Sequence, residues 1–110
     1  METQKLYRAV SKSEYDDWKT ISIFRTAKNT LEAKQFFKTM IAVKDFVFHS
    51  AVQRYSPPYF IILEIEVSNT CLETIFQFII QLDRFEAVTI SEEDLHGFNK
   101  CIKFVKEYAI

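Results

Sequence analysis

The stretch Tyr59–Val67 reads YFIILEIEV, and it is the most strand-like run in this 110-residue chain. β-Branched and aromatic residues dominate the run, and such residues favour extended backbone. Two prolines, Pro57 and Pro58, come directly before this run and disfavour a helix that begins there. We therefore expect a β-strand here, and the rest of the fold is predicted around it.

Alternation of side chains gives this strand two different faces. One face is wholly apolar and carries Ile61, Leu63, Ile65 and Val67. The other face changes from apolar to acidic along its length and carries Phe60, Ile62, Glu64 and Glu66. An apolar face combined with a half-apolar face is typical of a central or near-central strand covered by helices. The acidic end is expected to reach solvent or a cleft.

Size and composition predict a single domain over residues 1–110, with a substantial core. Hydrophobic residues make up 48% of the chain and aromatic residues 15%, which is enough for one core but not for two at this length. The net charge is −1, and no basic aromatic stripe marks a nucleic-acid surface. No apolar run approaches the ~20 residues of a bilayer span, and the first residues lack the apolar segment of a signal peptide. We expect a cytoplasmic protein without nucleic-acid or membrane partners.

The cysteines, histidines and glycine exclude several kinds of site. Cys71 and Cys101 lie 30 residues apart in predicted helices, and two free, partly buried thiols are favoured over a disulfide or a metal site. His49 and His96 have no further ligands at metal-binding spacing, so no metal site is predicted. Gly97 is the single glycine, which excludes the glycine-rich loops that hold phosphates.

The remaining elements alternate between strand and helix. Further strands are predicted at Lys5–Val10 and Ala87–Ile90. Helices are predicted from Ser11, over Thr30–His49, from Thr70 to about Leu82, and from Ser91 to about Tyr108. This order predicts an α+β domain with a small, mainly antiparallel sheet of three to four strands and helices packed against it. A doubly wound sheet is the less favoured alternative.

The stretch Thr30–His49 has two interpretations. Helical periodicity favours a single helix. Alternatively, Gln35–Phe37 is a short strand and the helix begins at Thr39. The residues alone leave both open.

One pair of carboxylates has a mechanistic interpretation. Glu64 and Glu66 lie on one strand face, ~6–7 Å apart from the strand rise. One carboxylate of such a pair can orient a nucleophile while the other stabilises developing positive charge. The alternative is that the outer end of the strand is simply acidic.

Several short segments resemble small ADP-ribosyltransferase-like domains of bacterial toxin type. They are Leu6–Ser11 with Glu14, Ala33–Phe36, Tyr59–Val67, Leu82-Asp83, Asp94-Leu95 and Phe98-Asn99. The resemblance implies an ADP-ribosyltransferase-like fold with NAD as cofactor. It implies Arg8 as the residue that contacts NAD and Glu66, or less well Glu64, as the catalytic glutamate. It also favours a strand at Gln35–Phe37.

The chain departs from this family in its catalytic parts. No Ser-Thr-Ser strand is present, Ala33 stands where a glycine is usual, and the two glutamates fall earlier than in the family. Phenylalanine is also more abundant than the predicted helix faces can bury, since Phe46 and Phe78 fall off the main stripes. Such an excess is typical of a partner or self-association surface.

Two functional hypotheses follow. The preferred one is a small cytosolic protein-binding module without catalysis or cofactor, either a dimer or one partner of a toxin and neutraliser pair. The alternative is an NAD-dependent ADP-ribosyltransferase-like enzyme that uses Arg8 to contact NAD and Glu66 as its catalytic glutamate.

Overall fold

The computed structural model of the chain describes residues 2–26, 33–54, 58–82 and 84–110. Across these residues it has six strands and four helices. In chain order they are β1 (Thr3–Ser11), α1 (Lys12–Ile21), β2 (Ala33–Phe37), α2 (Met40–Val52), β3 (Tyr59–Ser68), α3 (Asn69–Leu72), β4 (Phe78–Leu82), β5 (Phe85–Ser91), α4 (Glu92–Cys101) and β6 (Ile102–Ala109).

The strands form one open sheet in the order β4-β5-β2-β1-β3-β6, and every neighbouring pair is antiparallel. The α+β class and the antiparallel sheet are confirmed, whereas the prediction of three to four strands was too low. The predicted strand Tyr59–Val67 is β3, which lies between β1 and β6. It is an interior strand, one place in from the end of the sheet, and not a central one.

Besides β2, two of the six strands replace segments that were predicted as helix. Helix α3 ends at Leu72, and Phe78–Leu82 forms β4 against β5. Helix α4 ends at Cys101, and Ile102–Ala109 forms β6 against β3. Short apolar runs satisfy both periods, so pairing with a neighbouring strand decides between them.

The stretch between β1 and α2 resolves the conflict over Gln35–Phe37. The single helix over Thr30–His49 was wrong: Ala33–Phe37 is β2, while Thr30 lies outside the described residues. Thr39 caps α2 by accepting a hydrogen bond from the Ala42 amide at 3.1 Å. A side-chain cap at this point gives the helix a defined start after the strand.

Other predictions at the ends of β1 and β5 are confirmed. The Ser11 hydroxyl accepts a hydrogen bond from the Glu14 amide at 3.3 Å and caps α1. The predicted strand Ala87–Ile90 lies within β5, and Ser91 stands at the start of α4.

Helices cover both faces of the sheet and create two cores. Helices α1, α3 and α4 pack on one face, here called the α1 face. Helix α2 packs alone on the other, here called the α2 face. The core of the α1 face is the larger one and contains Leu6, Val10, Phe24, Phe36, Leu63, Ile65, Val67, Leu72, Val88, Ile90, Leu95, Phe98 and Cys101. The core of the α2 face contains Tyr7, Ala9, Phe37, Ala42, Val43, Ile62 and Ala87.

A bulge at the start of β3 changes the face on which Phe60 lies. Val10 pairs with Ile61 and Ser11 pairs with Tyr59, which leaves Phe60 without a partner on β1. The Phe60 ring centroid lies 5.4 Å from that of Tyr15 in α1. The prediction that Phe60 shares a face with Ile62 was therefore wrong, because an extra residue in a strand breaks the alternation.

The two cysteines are joined by a disulfide. Cys71 in α3 and Cys101 at the end of α4 have Cα atoms 5.3 Å apart. The prediction of free thiols was wrong, because it rested on separate helices that the fold brings together on the α1 face. Disulfides persist mainly in oxidising compartments, so the cysteines no longer support the cytoplasmic expectation. Of the described helices, none has the length and apolar character needed to cross a bilayer.

Candidate functional site

The guanidinium group of Arg8 is held on the α1 face by three elements. Its Nε and one terminal nitrogen each donate to the Glu14 carboxylate at 2.7 Å. The other terminal nitrogen donates to the Gln35 carbonyl at 3.1 Å. The group also lies 5.8 Å from the Phe36 ring centroid. A bidentate carboxylate pair fixes both the position and the plane of a guanidinium, so Arg8 links β1, α1 and β2.

Glu14 serves a second cation in the same cluster. Lys34 is buried, and its ammonium nitrogen lies 3.4 Å from the Glu14 carboxylate. Burial alone raises the pKa of Glu14, but the hydrogen bond and charge of Arg8 and the charge of Lys34 outweigh it and lower that pKa. Glu14 thus stays ionised and neutralises buried positive charge. This is a structural role.

The Glu64 carboxylate lies on the opposite side of the sheet. The Tyr7 hydroxyl donates to it at 3.0 Å, and the Lys5 ammonium lies 4.0 Å away. Burial, followed by the hydrogen bond to Glu64, raises the pKa of Tyr7 to about 12. Tyr7 is therefore a neutral hydrogen-bond donor at physiological pH, not a base.

The Glu66 carboxylate lies on the same face, two residues beyond Glu64. Glu66 is paired across the ladders with Lys5 on β1 and Phe104 on β6. Its side chain is half-buried. The strand register thus places Glu64 and Glu66 on one face of β3, as predicted.

The structure does not bring the three predicted site residues together. Arg8 contacts α1 and Phe36 on the α1 face, whereas Glu64 contacts Tyr7 on the α2 face. The sheet lies between the two groups, so one bound dinucleotide could not contact both without rearrangement. The catalytic and NAD-contacting roles remain predictions.

A surface depression of about 440 Å³ lies elsewhere, between the segment after α1 and helix α4. Phe24, Arg25, Glu92, His96 and Asn99 line part of it. The Asn99 amide is already bonded to both the amide and the carbonyl of Phe24, at 2.7 and 2.8 Å. Among the described residues, no three His, Cys, Asp or Glu side chains gather closely enough to hold a metal ion.

An uncharged apolar surface lies at one end of the sheet. We call it the β4 edge, and it comprises residues 76–82. Phe76, Phe78 and Ile79 are 66%, 41% and 48% exposed, and the two aromatic rings lie 6.2 Å apart. Within the described sheet, β4 pairs only with β5, so its other side presents unpaired backbone groups.

A charged surface lies at the other end. We call it the β6 edge, and it comprises Ile102–Ala109. Lys103, Lys106 and Glu107 belong to it, together with Phe104, which is 60% exposed. Tyr15 and Lys19 of α1 both bond to Glu107, each at 2.8 Å. Within the described sheet, β6 pairs only with β3.

Helix α2 adds a third exposed apolar surface. Ile41, Phe48 and Val52 on its outer side are all exposed. They are separated by seven and four residues, which places them on one helical stripe. This stripe lies on the side of α2 that points away from the sheet.

The chain matches no protein-family model, no curated protein and no solved structure. The surfaces with the clearest chemical character are the two sheet edges.

Sequence reasoning missed both edges because it placed them in helices. The alternation of Phe78, Ile80 and Leu82 was the signal for β4, and the off-stripe position of Phe78 pointed to it. For β6 the signal was the run of β-branched and aromatic residues after Cys101. In both cases helical spacing of other apolar residues competed with the strand period.

Proposed function

We propose that this protein is a small protein-binding module that acts without catalysis or cofactor. It forms one half of a two-protein pair, of the kind that a toxin makes with its neutraliser. The partner adds an extended segment to the β4 edge. The observation that carries this proposal is the exposed, uncharged β4 edge with its two neighbouring phenylalanines.

The backbone of β4 supports this mode of binding. An edge strand offers unpaired amides and carbonyls to any segment that can align with it, and an added strand satisfies them. Proteins usually protect such edges with lysines, prolines or bulges. The β4 strand reads FIIQL and has none of these residues, and its register with β5 is unbroken.

The side chains around β4 define the partner. Phe78 and Ile79 point to opposite faces of the sheet, and both are exposed. Phe76 extends the apolar surface beside Phe78. An added segment would therefore gain most from apolar side chains on both of its faces. A charge opposite β4 would lose its water without gaining a partner.

The test is the capture of partner proteins from extracts of the cells that produce the chain. Wild type is compared with Ile79→Lys, which places a charge on the β4 edge. The matched control is Ile41→Lys, because Ile41 is equally apolar and more exposed, at 73%, but lies on α2. We expect Ile79→Lys to lower partner recovery by about ten-fold and Ile41→Lys to leave it unchanged, since the charge blocks strand addition.

Two results would contradict the proposal. Recovery of the same partner by Ile79→Lys at the wild-type level would remove the β4 edge as the site. If wild type, Ile79→Lys and Ile41→Lys all recover no enriched protein, the chain is not a binding module. Circular dichroism of each variant shows whether the fold is retained.

A further inference from the structure

The β6 edge is the feature that the proposed function leaves unexplained. It has a large exposed aromatic side chain, Phe104, set among charged residues. It also has a bulge: Val67 pairs with Ile102 and Glu66 with Phe104, so Lys103 has no partner on β3. Lysines and bulges both discourage pairing with an arbitrary strand. Lysines do not discourage a strand whose charges match, and β6 is regular from Phe104 to Ala109, beyond the bulge.

We propose that the β6 edge pairs with the β6 edge of a second copy, antiparallel and centred on Val105, to form a symmetric dimer. The two sheets would join into one continuous sheet across a two-fold axis. This proposal concerns the edge opposite β4 and does not depend on the proposed function.

Charge complementarity specifies the centre of this pairing. With Val105 opposite its own copy, Lys103 lies opposite Glu107 of the second chain, and the same pair recurs by symmetry. Directly opposite residues of an antiparallel pair attract when their charges are opposite and repel when they are alike. Lys103 is the extra residue of the bulge, so alternation does not assign it to a face, and its long, exposed side chain supplies the reach to Glu107. Both residues are on β6 and at least partly accessible.

The same register places a cation against the exposed aromatic ring. Phe104 lies opposite Lys106 of the second chain, again twice by symmetry. The Lys106 ammonium already lies 5.3 Å from the centroid of the Tyr108 ring within its own chain. It is therefore on the same side of the sheet as this aromatic ring. A lysine over an aromatic face is attracted by the ring, and its stem covers apolar surface.

Registers of the β6 pair that are centred on a residue next to Val105 or near it are less favourable. A centre on Lys106 or on Glu107 would put two like charges opposite each other on the axis. A centre on Phe104 would pair Lys103 with an apolar side chain, so its charge would gain nothing. Among the symmetric antiparallel registers around the middle of β6, the Val105 centre alone pairs opposite charges.

Glu107 is positioned for this contact by its own chain. Tyr15 donates to one carboxylate oxygen at 2.8 Å and Lys19 lies 2.8 Å from the other. These bonds hold the carboxylate in one orientation, which lowers the entropy lost when a second cation approaches. Lys103 is exposed and carries no such restraint.

The first experiment measures the self-association of the whole chain by analytical ultracentrifugation, up to about 100 µM because an interface of one strand pair is small and weak. The variant Lys103→Glu replaces two attractive pairs by two repulsive ones. We expect the dissociation constant to rise about ten-fold or more, from the summed cross-strand terms. The control Lys44→Glu makes the same charge change on exposed α2 and should leave it unchanged.

The second experiment tests the register directly. In Val105→Cys the two new thiols meet on the axis, at the Cα separation of about 4.5–5.5 Å that directly opposite residues have, which lies within disulfide range. The control Ile41→Cys places the same thiol on exposed α2, outside the β6 edge, where the proposed pairing brings no second copy. Under mild oxidation we expect a covalent dimer from the first variant only, on a non-reducing gel.

Each outcome decides the matter. A wild-type chain that stays monomeric overturns the proposal. A dimer that Lys103→Glu leaves intact lies elsewhere on the molecule, and this also overturns it. Cross-linking of Ile41→Cys with none for Val105→Cys would overturn the register. Should Val105→Cys fail to fold, the comparison of Lys103→Glu with Lys44→Glu decides alone.

Discussion

The two edges of the sheet meet the same physical problem with opposite chemistry. Each has one strand neighbour in the described sheet, so each presents unpaired backbone groups. The β4 edge has no charged residue in its strand and exposes Phe78 and Ile79. The β6 edge has Lys103, Lys106 and Glu107 and a bulge.

An edge strand can therefore be selective in two ways. Without charges, β4 is expected to accept apolar segments, with the shape of its side chains setting the preference. With charges of both signs, β6 is expected to reject most strands and to accept one whose charges match in register. We therefore propose a foreign partner for the first edge and a copy of the same chain for the second. Three further measurements test the difference between the two edges.

The largest effect on stability is expected from removal of the disulfide, which joins helix α3, before β4, to the end of helix α4, before β6. Cys71 lies in α3, before β4, and Cys101 is the residue before β6. Replacing both by alanine opens a loop with a sequence separation of 30 residues, and we expect a loss of about 3–4 kcal/mol in the free energy of unfolding. Chemical denaturation of the variant and of wild type measures it.

The same variant separates the edges. Strand β4 lies inside the loop that the disulfide closes, while β6 lies outside it. We expect hydrogen exchange to rise more in β4 than in β6. The control is a reducing agent, which should destabilise wild type and leave the double variant unchanged. Equal stability of wild type with and without reductant would contradict the structural role of the disulfide.

A smaller effect is expected from lowering the pH, which should weaken the proposed contact at the β6 edge and not that at the β4 edge. The hydrogen bond from Lys19, followed by that from Tyr15, lowers the pKa of Glu107 below its ordinary value of 4.5. A carboxyl whose pKa is lowered in the folded state contributes fully above that ordinary value, and the contribution is lost as the pH falls through the lowered pKa. Attraction to Lys103 of the second chain should follow the same course.

We therefore expect the dimer to keep its affinity from neutral pH down to about pH 4.5, because Glu107 remains ionised there. Below this it should weaken by a few-fold. Ultracentrifugation across this range measures it, while circular dichroism monitors the fold. Weakening that begins well above pH 5 would point to a group other than Glu107.

The smallest effect, none, is expected from NAD. Arg8 already donates to Glu14 and to the Gln35 carbonyl and lies across the sheet from Glu66. Millimolar NAD should leave the melting temperature unchanged, since a ligand stabilises only the state that binds it. A clear rise in melting temperature with NAD would favour the enzyme hypothesis if Glu66→Gln keeps that rise but loses NAD turnover. The functional residues would then lie on the faces of the sheet and not at its edges.

The parts of the fold that sequence could predict have strong local signals. Strand β1 and helix α1 follow from alternation and from the cap that Ser11 makes with the Glu14 amide. Strand β3 follows from its β-branched run, and its two faces differ as expected beyond the bulge. These signals lie within a few residues of the element that they specify.

The parts that it could not predict depend on distant partners. Strand β4 is helix or strand by its residues alone, and only β5 decides it. Strand β6 similarly requires β3. The bidentate pair of Arg8 with Glu14, six residues away, also depends on the packing of α1 against β1. The disulfide required α3 and α4 to pack together, which no spacing in the chain reveals.

The strand order has a consequence for valency. Strands β4 and β6 stand at opposite ends of the six-stranded sheet. Joining two copies through β6 leaves both β4 edges outermost, pointing away from each other and about 50 Å apart at the usual strand spacing. Such a dimer could then bind two partner molecules, one at each β4 edge. It could also bind a symmetric partner through both edges at once, and so more tightly than through a single edge.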